Sequence, residues 1–264
     1  MNLTKKALTL IELLVVIAII ALLLSVIIPA LKKAKEQANK IVCSSQIKQQ
    51  NLALLMYAQA NEEKMPMMTW SGGQWLWDVS YFTTDVIIAS GADRKIFRCP
   101  GNRVDTNETR YWRYSEHFSG PVSDSTPEPS STSQRQQHWR VISYSYLMET
   151  KNGRGDIWAA SEPGATKVPS TEKKFIDKTT QTRNPSGQME LVTDSVIDYG
   201  STYKWIIPDI YADWAMGTNH MERRGGEIKE PAGSNIGFLD GHVTWRPFKD
   251  MYQRYRVQGV TFWW

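Results

Sequence analysis

The sequence predicts an α+β protein in which one long, kinked N-terminal helix, half apolar and half amphipathic, packs on an antiparallel β-sheet head with long loops. Three observations carry that prediction. Residues 8–28 are almost wholly apolar, a helical repeat resumes directly after Pro29, and an Asp-Gly pair near the C-terminus stands between two alternating runs. The 264 residues are 41% hydrophobic and 22% charged, which excludes collagen-like, wholly disordered and disulfide-dense classes and leaves room for one domain or at most two. The formal charge of +4 is unevenly spread. Residues 1–50 hold seven Lys against two Glu, so the remaining 214 residues hold 24 basic against 25 acidic groups. A nearly neutral body argues against nucleic acid as a partner, because binding phosphate needs a clustered basic face.

From Leu8 to Ile28 the only polar residues are Thr9, Glu12 and Ser25. At about 1.5 Å per residue a helix of that length matches the roughly 30 Å hydrocarbon core of a bilayer. A cleaved secretory signal has a shorter apolar stretch followed by a small-x-small site. Here the run ends in Ile27-Ile28-Pro29-Ala30-Leu31-Lys32-Lys33, with no such site. Glu12 is the informative residue, since a carboxylate inside a membrane helix costs about 2.5 kcal/mol or more and is normally retained for a specific partner. Pro29 lacks an N–H donor and clashes with the carbonyl four residues back, so it either stops the helix or kinks it. A kink is the better reading, because Leu31, Ala34, Ala38, Ile41, Ser45, Leu52, Leu55 and Gln59 continue at helical spacing. The helix is therefore expected to run from Leu8 to about Glu62 and to stop before Pro66.

The stretch Lys5-Lys6-Ala7-Leu8-Thr9-Leu10-Ile11-Glu12-Leu13-Leu14-Val15 resembles the processing and methylation motif of type IV prepilins and type II secretion pseudopilins. That resemblance implies a cytoplasmic leader over residues 1–7, cleavage by prepilin peptidase between Ala7 and Leu8, and methylation of the new amino terminus at Leu8. It implies a single-pass inner-membrane protein with a transmembrane and filament-core helix over 8–30, an amphipathic continuation over 31–62 and a periplasmic head over 63–264, later part of a periplasmic or cell-surface filament. Gly before the cut and Phe after it are commoner in the family than Ala7 and Leu8. The implied partners are prepilin peptidase, other pilins or pseudopilins in a homo- or hetero-oligomeric filament, and an inner-membrane assembly platform. Within such a filament, Glu12 would meet the amino terminus of a neighbouring subunit and set the axial register. The positive-inside rule alone is ambiguous, because Lys32, Lys33, Lys35 and Lys40 oppose Lys5 and Lys6.

A second resemblance reaches further along the chain. Residues 43–58, Cys-Ser-Ser-Gln-Ile-Lys-Gln-Gln-Asn-Leu-Ala-Leu-Leu-Met-Tyr-Ala, look like the helix of a pilin-like family whose large variable head ends in an H-x9-DG motif. Phe97-Arg98-Cys99-Pro100, Ser143–Leu147 and Leu191–Asp194 look like further stations of that head. Here 19 residues separate His220 from Asp240 instead of nine, and residues 221–234 look like a loop insertion, which weakens any fixed role for His220.

Cys43 and Cys99 are the only cysteines. In an exported protein they suggest one disulfide, and in the cytosol two buried thiols. A bridge would close a loop of about 56 residues, contributing roughly 4 kcal/mol in the chain-entropy model. Two Cys without further Cys or His at metal-ligand spacing give no zinc pattern. Asp194, Asp209, Asp213 and Asp240 can supply oxygens for calcium, with Asp194 and Asp240 the candidates, although their spacing matches no loop template. Asp240-Gly241 predicts a two-residue hairpin turn that sets Phe238 opposite Val243 and Ile236 opposite Trp245, all four on one apolar face. Residues 119–137 and 150–187 read as long polar loops, and His117 and His138 as solvated.

No nucleophile elbow, phosphate-binding Gly loop or zinc-protease pair occurs, so a non-enzymatic filament subunit is expected. The rival reading is a membrane-anchored binding module with a carbohydrate platform among its eleven Trp residues, among them Trp70, Trp75, Trp77, Trp158, Trp205, Trp263 and Trp264.

Overall fold

The computed structural model describes residues 10–68, 75–102, 112, 130–149, 175–176, 178–179, 189–199, 204–205, 217–224, 227–257 and 260–264. The chain divides into two units, residues 1–39 and residues 40–264. The first unit consists, among the described residues, of the N-terminal part of one helix, α1 (Leu10–Ala60). It is the one described helix long and apolar enough to cross a membrane. Its large side chains from Leu10 to Ile28 are exposed, with Ile17 and Leu22 retaining 57% and 68% of their surface. The helix continues through Pro29 rather than stopping there. Four residues earlier, the Ser25 hydroxyl donates to the Leu22 carbonyl at 2.7 Å.

In the second unit, α1 buries a stripe made by Cys43, Ile47, Gln50, Asn51, Leu54 and Ala58. This is not the stripe expected from the apolar repeat: Leu31, Ile41 and Leu52 stay exposed and Leu55 is half-buried. The difference arises because polar residues on the buried face find partners. The Gln50 amide donates to the Ile96 carbonyl at 2.7 Å and accepts from the Tyr146 hydroxyl, while Gln46 does the same with the Lys95 carbonyl and the Tyr144 hydroxyl. Gln50 is thus paired at both ends of its amide, and Asn51 donates through Nδ2 to the Phe238 carbonyl at 3.2 Å, which lowers the desolvation cost of burying them. The helix ends where Glu62 and Glu63 adopt positive φ and the Glu63 amide donates back to the Ala58 carbonyl at 2.9 Å.

The helix stripe faces a four-stranded antiparallel sheet. Its strands are β3 (Tyr144–Tyr146), β4 (Glu190–Asp194), β9 (Gly233–Phe238) and β10 (Val243–Pro247), in the spatial order β10-β9-β4-β3. β4 and β9 are buried along their whole length. A second antiparallel sheet has the order β11-β12-β5-β6, from β11 (Gln253–Val257), β12 (Val260–Trp263), β5 (Ile197–Tyr199) and β6 (Lys204–Trp205). Two smaller pairs, β1 (Asp78–Ser80) with β2 (Trp139–Val141) and β7 (Met221–Arg224) with β8 (Glu227–Pro231), complete the described strands. A helix α2 (Tyr81–Ala89) and a 3-10 turn over Arg94–Phe97 lead to Cys99.

Three expectations are corrected. The hairpin between β9 and β10 is offset by one residue, pairing Val243 with Gly237, Thr244 with Ile236 and Trp245 with Asn235. Its loop has three residues, because only Gly241 (φ +89) takes the left-handed conformation there, whereas a two-residue turn would need positive φ at Asp240 as well. A one-residue offset exchanges the faces, so Phe238 meets His242, with the two rings stacked at 4.2 Å, and not Val243. Residues 221–224 and 227–231 form the paired strands β7 and β8, and residues 233–234 the start of β9, rather than a loop. Residues 132–137 form a short helix, α3 (Thr132–Gln137), opened by a capping box between Ser131 and Gln134. His138 at its end is half-buried, edge-on to Tyr81.

Among the described residues the Trp side chains mostly face inward. Trp77, Trp139, Trp263 and Trp264 belong to one apolar cluster and Trp112 to another, with Trp75 half-buried against the first. Packing between α1 and β9 is closest at Gly237, where a Cβ would lie 2.3 Å from Asn51 Nδ2 and 2.6 Å from Ile47 Cγ2. Gly237→Ala is expected to lower the unfolding free energy by about 1–3 kcal/mol through overpacking, read as a lower urea midpoint with an unchanged slope.

Candidate functional site

Chemistry is carried by the N-terminal motif and by a cluster among the described residues of the head. Ala7 and Leu8 lie outside the described residues, and Glu12 sits in the exposed first turn of α1. The cluster is inside the head. Cys43 comes from the buried face of α1, and Cys99 follows the 3-10 turn; both are buried free thiols with Sγ atoms 2.7 Å apart. The approach that a disulfide requires is therefore present between residues 56 apart in sequence.

Two more side chains converge on the same point. Asp194 ends β4 and His220 immediately precedes β7, and one ligand atom from each of the four residues lies within 4.8 Å of all the others. His220 Nε2 is 3.2 Å from Asp194 Oδ2 and 3.5 Å from Cys99 Sγ. Asp194 has no solvent exposure, and its carboxylate is held on several sides. Oδ1 accepts from Asn219 Nδ2 at 3.0 Å, while Oδ2 accepts from the Asn235 backbone amide at 2.8 Å and from Asn235 Nδ2 at 2.9 Å. These holders are themselves tied down. Asn219 also donates to the Ser143 carbonyl and accepts from Asn102, and Asn235 donates to the Lys40 carbonyl of α1.

The electrostatics follow from this burial. Desolvation works against a charged His220, but the Asp194 carboxylate outweighs it and raises the imidazole to about 10, which favours the imidazolium form of His220. Desolvation also works to raise Cys43, but the Cys99 thiol and His220 bring it down to about 7. Burial, then the neighbouring Cys43, pushes Cys99 well above the ordinary thiol range. Chemically the cluster offers two sulfurs, an imidazole nitrogen and a carboxylate oxygen around one point.

The expectations on metals change accordingly. Asp240 is not part of this group: it lies in the exposed hairpin turn, where its carboxylate accepts from the His242 backbone amide at 3.1 Å. Asp194 faces sulfurs and an imidazole rather than the ring of oxygens that calcium prefers. Asp209 and Asp213 lie outside the described residues. His220, set aside because of its wide separation from Asp240, is a full member of the cluster. The extra residues include the paired strands β7 and β8, which leaves His220 beside Asp194. Asn219 and Asn235 carried no signal in the sequence; the register of β9 against β4 brings Asn235 to the carboxylate, and the Asn219 backbone amide, donating to the Ser195 carbonyl at 2.8 Å, brings Asn219.

Comparison with known proteins supports the N-terminal reading. Residues 3–28 match the family model of the prokaryotic N-terminal methylation motif. No curated protein and no solved structure matches the chain. The chain thus carries a prepilin-type N-terminal motif on an apolar helix, the arrangement of a substrate of prepilin peptidase anchored in the inner membrane.

Removing the carboxylate would strand a buried imidazolium and take the acceptor from three N–H donors. Asp194→Ala is expected to destabilise the head by about 3–5 kcal/mol, measured by urea unfolding, well beyond the effect of an exposed Asp240→Ala.

Proposed function

We propose that this protein is a structural, non-catalytic subunit of a type IV pilus-like or type II secretion pseudopilus filament. The observation that carries the proposal is the methylation motif over residues 3–28, set on a helix whose apolar half is exposed from Leu10 to Ile28. Such a surface is costly in water, because roughly 25 cal/mol is lost per Å² of apolar area left exposed, and it needs either lipid or like helices around it. The sequence of events is insertion into the inner membrane, cleavage after Ala7, methylation of Leu8 and extraction into a bundle of parallel helices. In the bundle, Glu12 pairs with the methylated amino terminus of a neighbour, which offsets the desolvation of both charges and fixes the stagger between subunits. Pro29 leaves the Ser25 carbonyl without its helical donor and gives the helix a place to bend or stretch during assembly. The partners are prepilin peptidase, the assembly platform and other subunits of the same class.

The head is the exposed part of the fibre in this reading. Trp77, Trp112, Trp139, Trp263 and Trp264 are buried and offer no face to a sugar, while Trp75 and Trp245 are half-buried.

Terminal mass spectrometry of the membrane-bound protein, from cells with active prepilin peptidase, is expected to find a methylated Leu8 as the first residue. Recovery of Met1 under those conditions contradicts the proposal. Glu12→Ala is expected to insert into the membrane normally and to be missing from sheared surface or periplasmic filaments; incorporation at the wild-type level would remove the assigned role of the carboxylate.

A further inference from the structure

We propose that Cys43, Cys99, Asp194 and His220 form a zinc site that fastens helix α1 to the head, in place of a disulfide between the two cysteines. The four ligand atoms lie within 4.8 Å of one another, and all four residues are buried. Two thiolates, one imidazole nitrogen and one carboxylate oxygen are the ligand types of four-coordinate zinc, and the soft sulfurs disfavour calcium and magnesium. With metal–sulfur bonds of about 2.3 Å and metal–nitrogen or –oxygen bonds of about 2.0–2.1 Å, tetrahedral neighbours stand roughly 3.3–3.8 Å apart. Cys99 Sγ to His220 Nε2, at 3.5 Å, already meets that spacing, and His220 Nε2 to Asp194 Oδ2, at 3.2 Å, falls just short of it. The two sulfurs, at 2.7 Å, must separate by about 1 Å, a side-chain rotation for Cys43 on its helix.

The surroundings are those of a metal site more than of a cystine. A disulfide would employ Cys43 and Cys99 alone, and it has no use for an imidazole and a carboxylate at its sulfurs. Asp194 carries donors on both oxygens, from Asn219 and from Asn235. Outer hydrogen bonds of this kind hold a ligating carboxylate in place. His220 has φ +50, an uncommon conformation for a residue with a side chain, and this conformation presents its Nε2 to Asp194 and Cys99. On binding, the two thiol protons and the His220 Nε2 proton leave to solvent, and no electron transfer is involved. The four ligands come from α1, the segment after the 3-10 turn, the end of β4 and the residue before β7, so one ion ties together four segments that are distant in sequence.

The test uses the full-length protein purified from membranes in detergent, without added reductant. Elemental analysis is expected to find one zinc per chain, and denaturing non-reducing mass spectrometry two free thiols. Cobalt exchanged into the site is expected to give a thiolate charge-transfer band and the intense visible bands of tetrahedral coordination. In Asp194→Asn, which preserves the shape of the side chain, the zinc affinity is expected to fall at least tenfold and the visible bands to shift. His220→Ala is expected to lose the metal with α1 still helical by circular dichroism. A metal-free wild-type protein 2 Da lighter than the dithiol, as a disulfide requires, overturns the proposal. Zinc retained undiminished in both Asp194→Asn and His220→Ala overturns it as well.

Discussion

The close seating of α1 on β9 is the contact on which the rest of the head depends. At Gly237 the helix and strand approach so nearly that no side chain fits between Asn51, Ile47 and the strand backbone. Asn51 then donates to the Phe238 carbonyl, and three strand residues further from the hairpin Asn235 donates to the Lys40 carbonyl. These contacts set the helix against the sheet at two levels. Gln46 and Gln50 add a third along the flank, through Tyr144 and Tyr146 of β3. Once α1 is placed in this way, Cys43 has nowhere to point except toward Cys99, Asp194 and His220. The cluster is a consequence of helix docking, and it also secures that docking.

The helix thus serves two environments with two chemistries. Residues up to Ile28 present apolar side chains on every side, the pattern of a segment surrounded by lipid or by other helices. From Cys43 onward a narrow stripe is buried, and it is partly polar, with Gln50 and Asn51 at zero exposure. The change of environment falls where the lysines cluster, at Lys32, Lys33, Lys35 and Lys40, and the last of these places its ammonium 4.1 Å from the Trp245 ring centre. A cation at that ring covers an aromatic face with a charged group that prefers the wet side of the boundary.

Much of this was legible in the sequence, and the parts that were not have physical causes. The apolar run, its interruption by Glu12 and the resumed helical repeat give α1 almost to its ends. The Asp-Gly pair marks the hairpin, but a turn signal does not distinguish two loop residues from three, and that single residue reverses which side chains share a face. The apolar repeat selected Leu31, Ile41 and Leu52, which stay exposed, because hydrophobic periodicity cannot foresee that glutamines and an asparagine will be buried against tyrosine hydroxyls and carbonyls. Ser131 and Gln134, read with their neighbours as part of a polar loop, form a capping box that opens α3 despite the polar composition around it. The cluster was the hardest to read. Its members stand at 43, 99, 194 and 220, spacings that resemble no metal motif, and only sheet topology brings them together.

The central claim is that α1 is one helix whose first half serves lipid and neighbouring subunits while its second half belongs to the head. Photo-crosslinking from single sites along α1 in living cells tests it most directly. A crosslinker in place of Val16 is expected to give lipid adducts or adducts between subunits, while one in place of Ile47 gives adducts within its own chain. Intramolecular adducts from position 16 to the head, with none to lipid or to other subunits, would contradict the account.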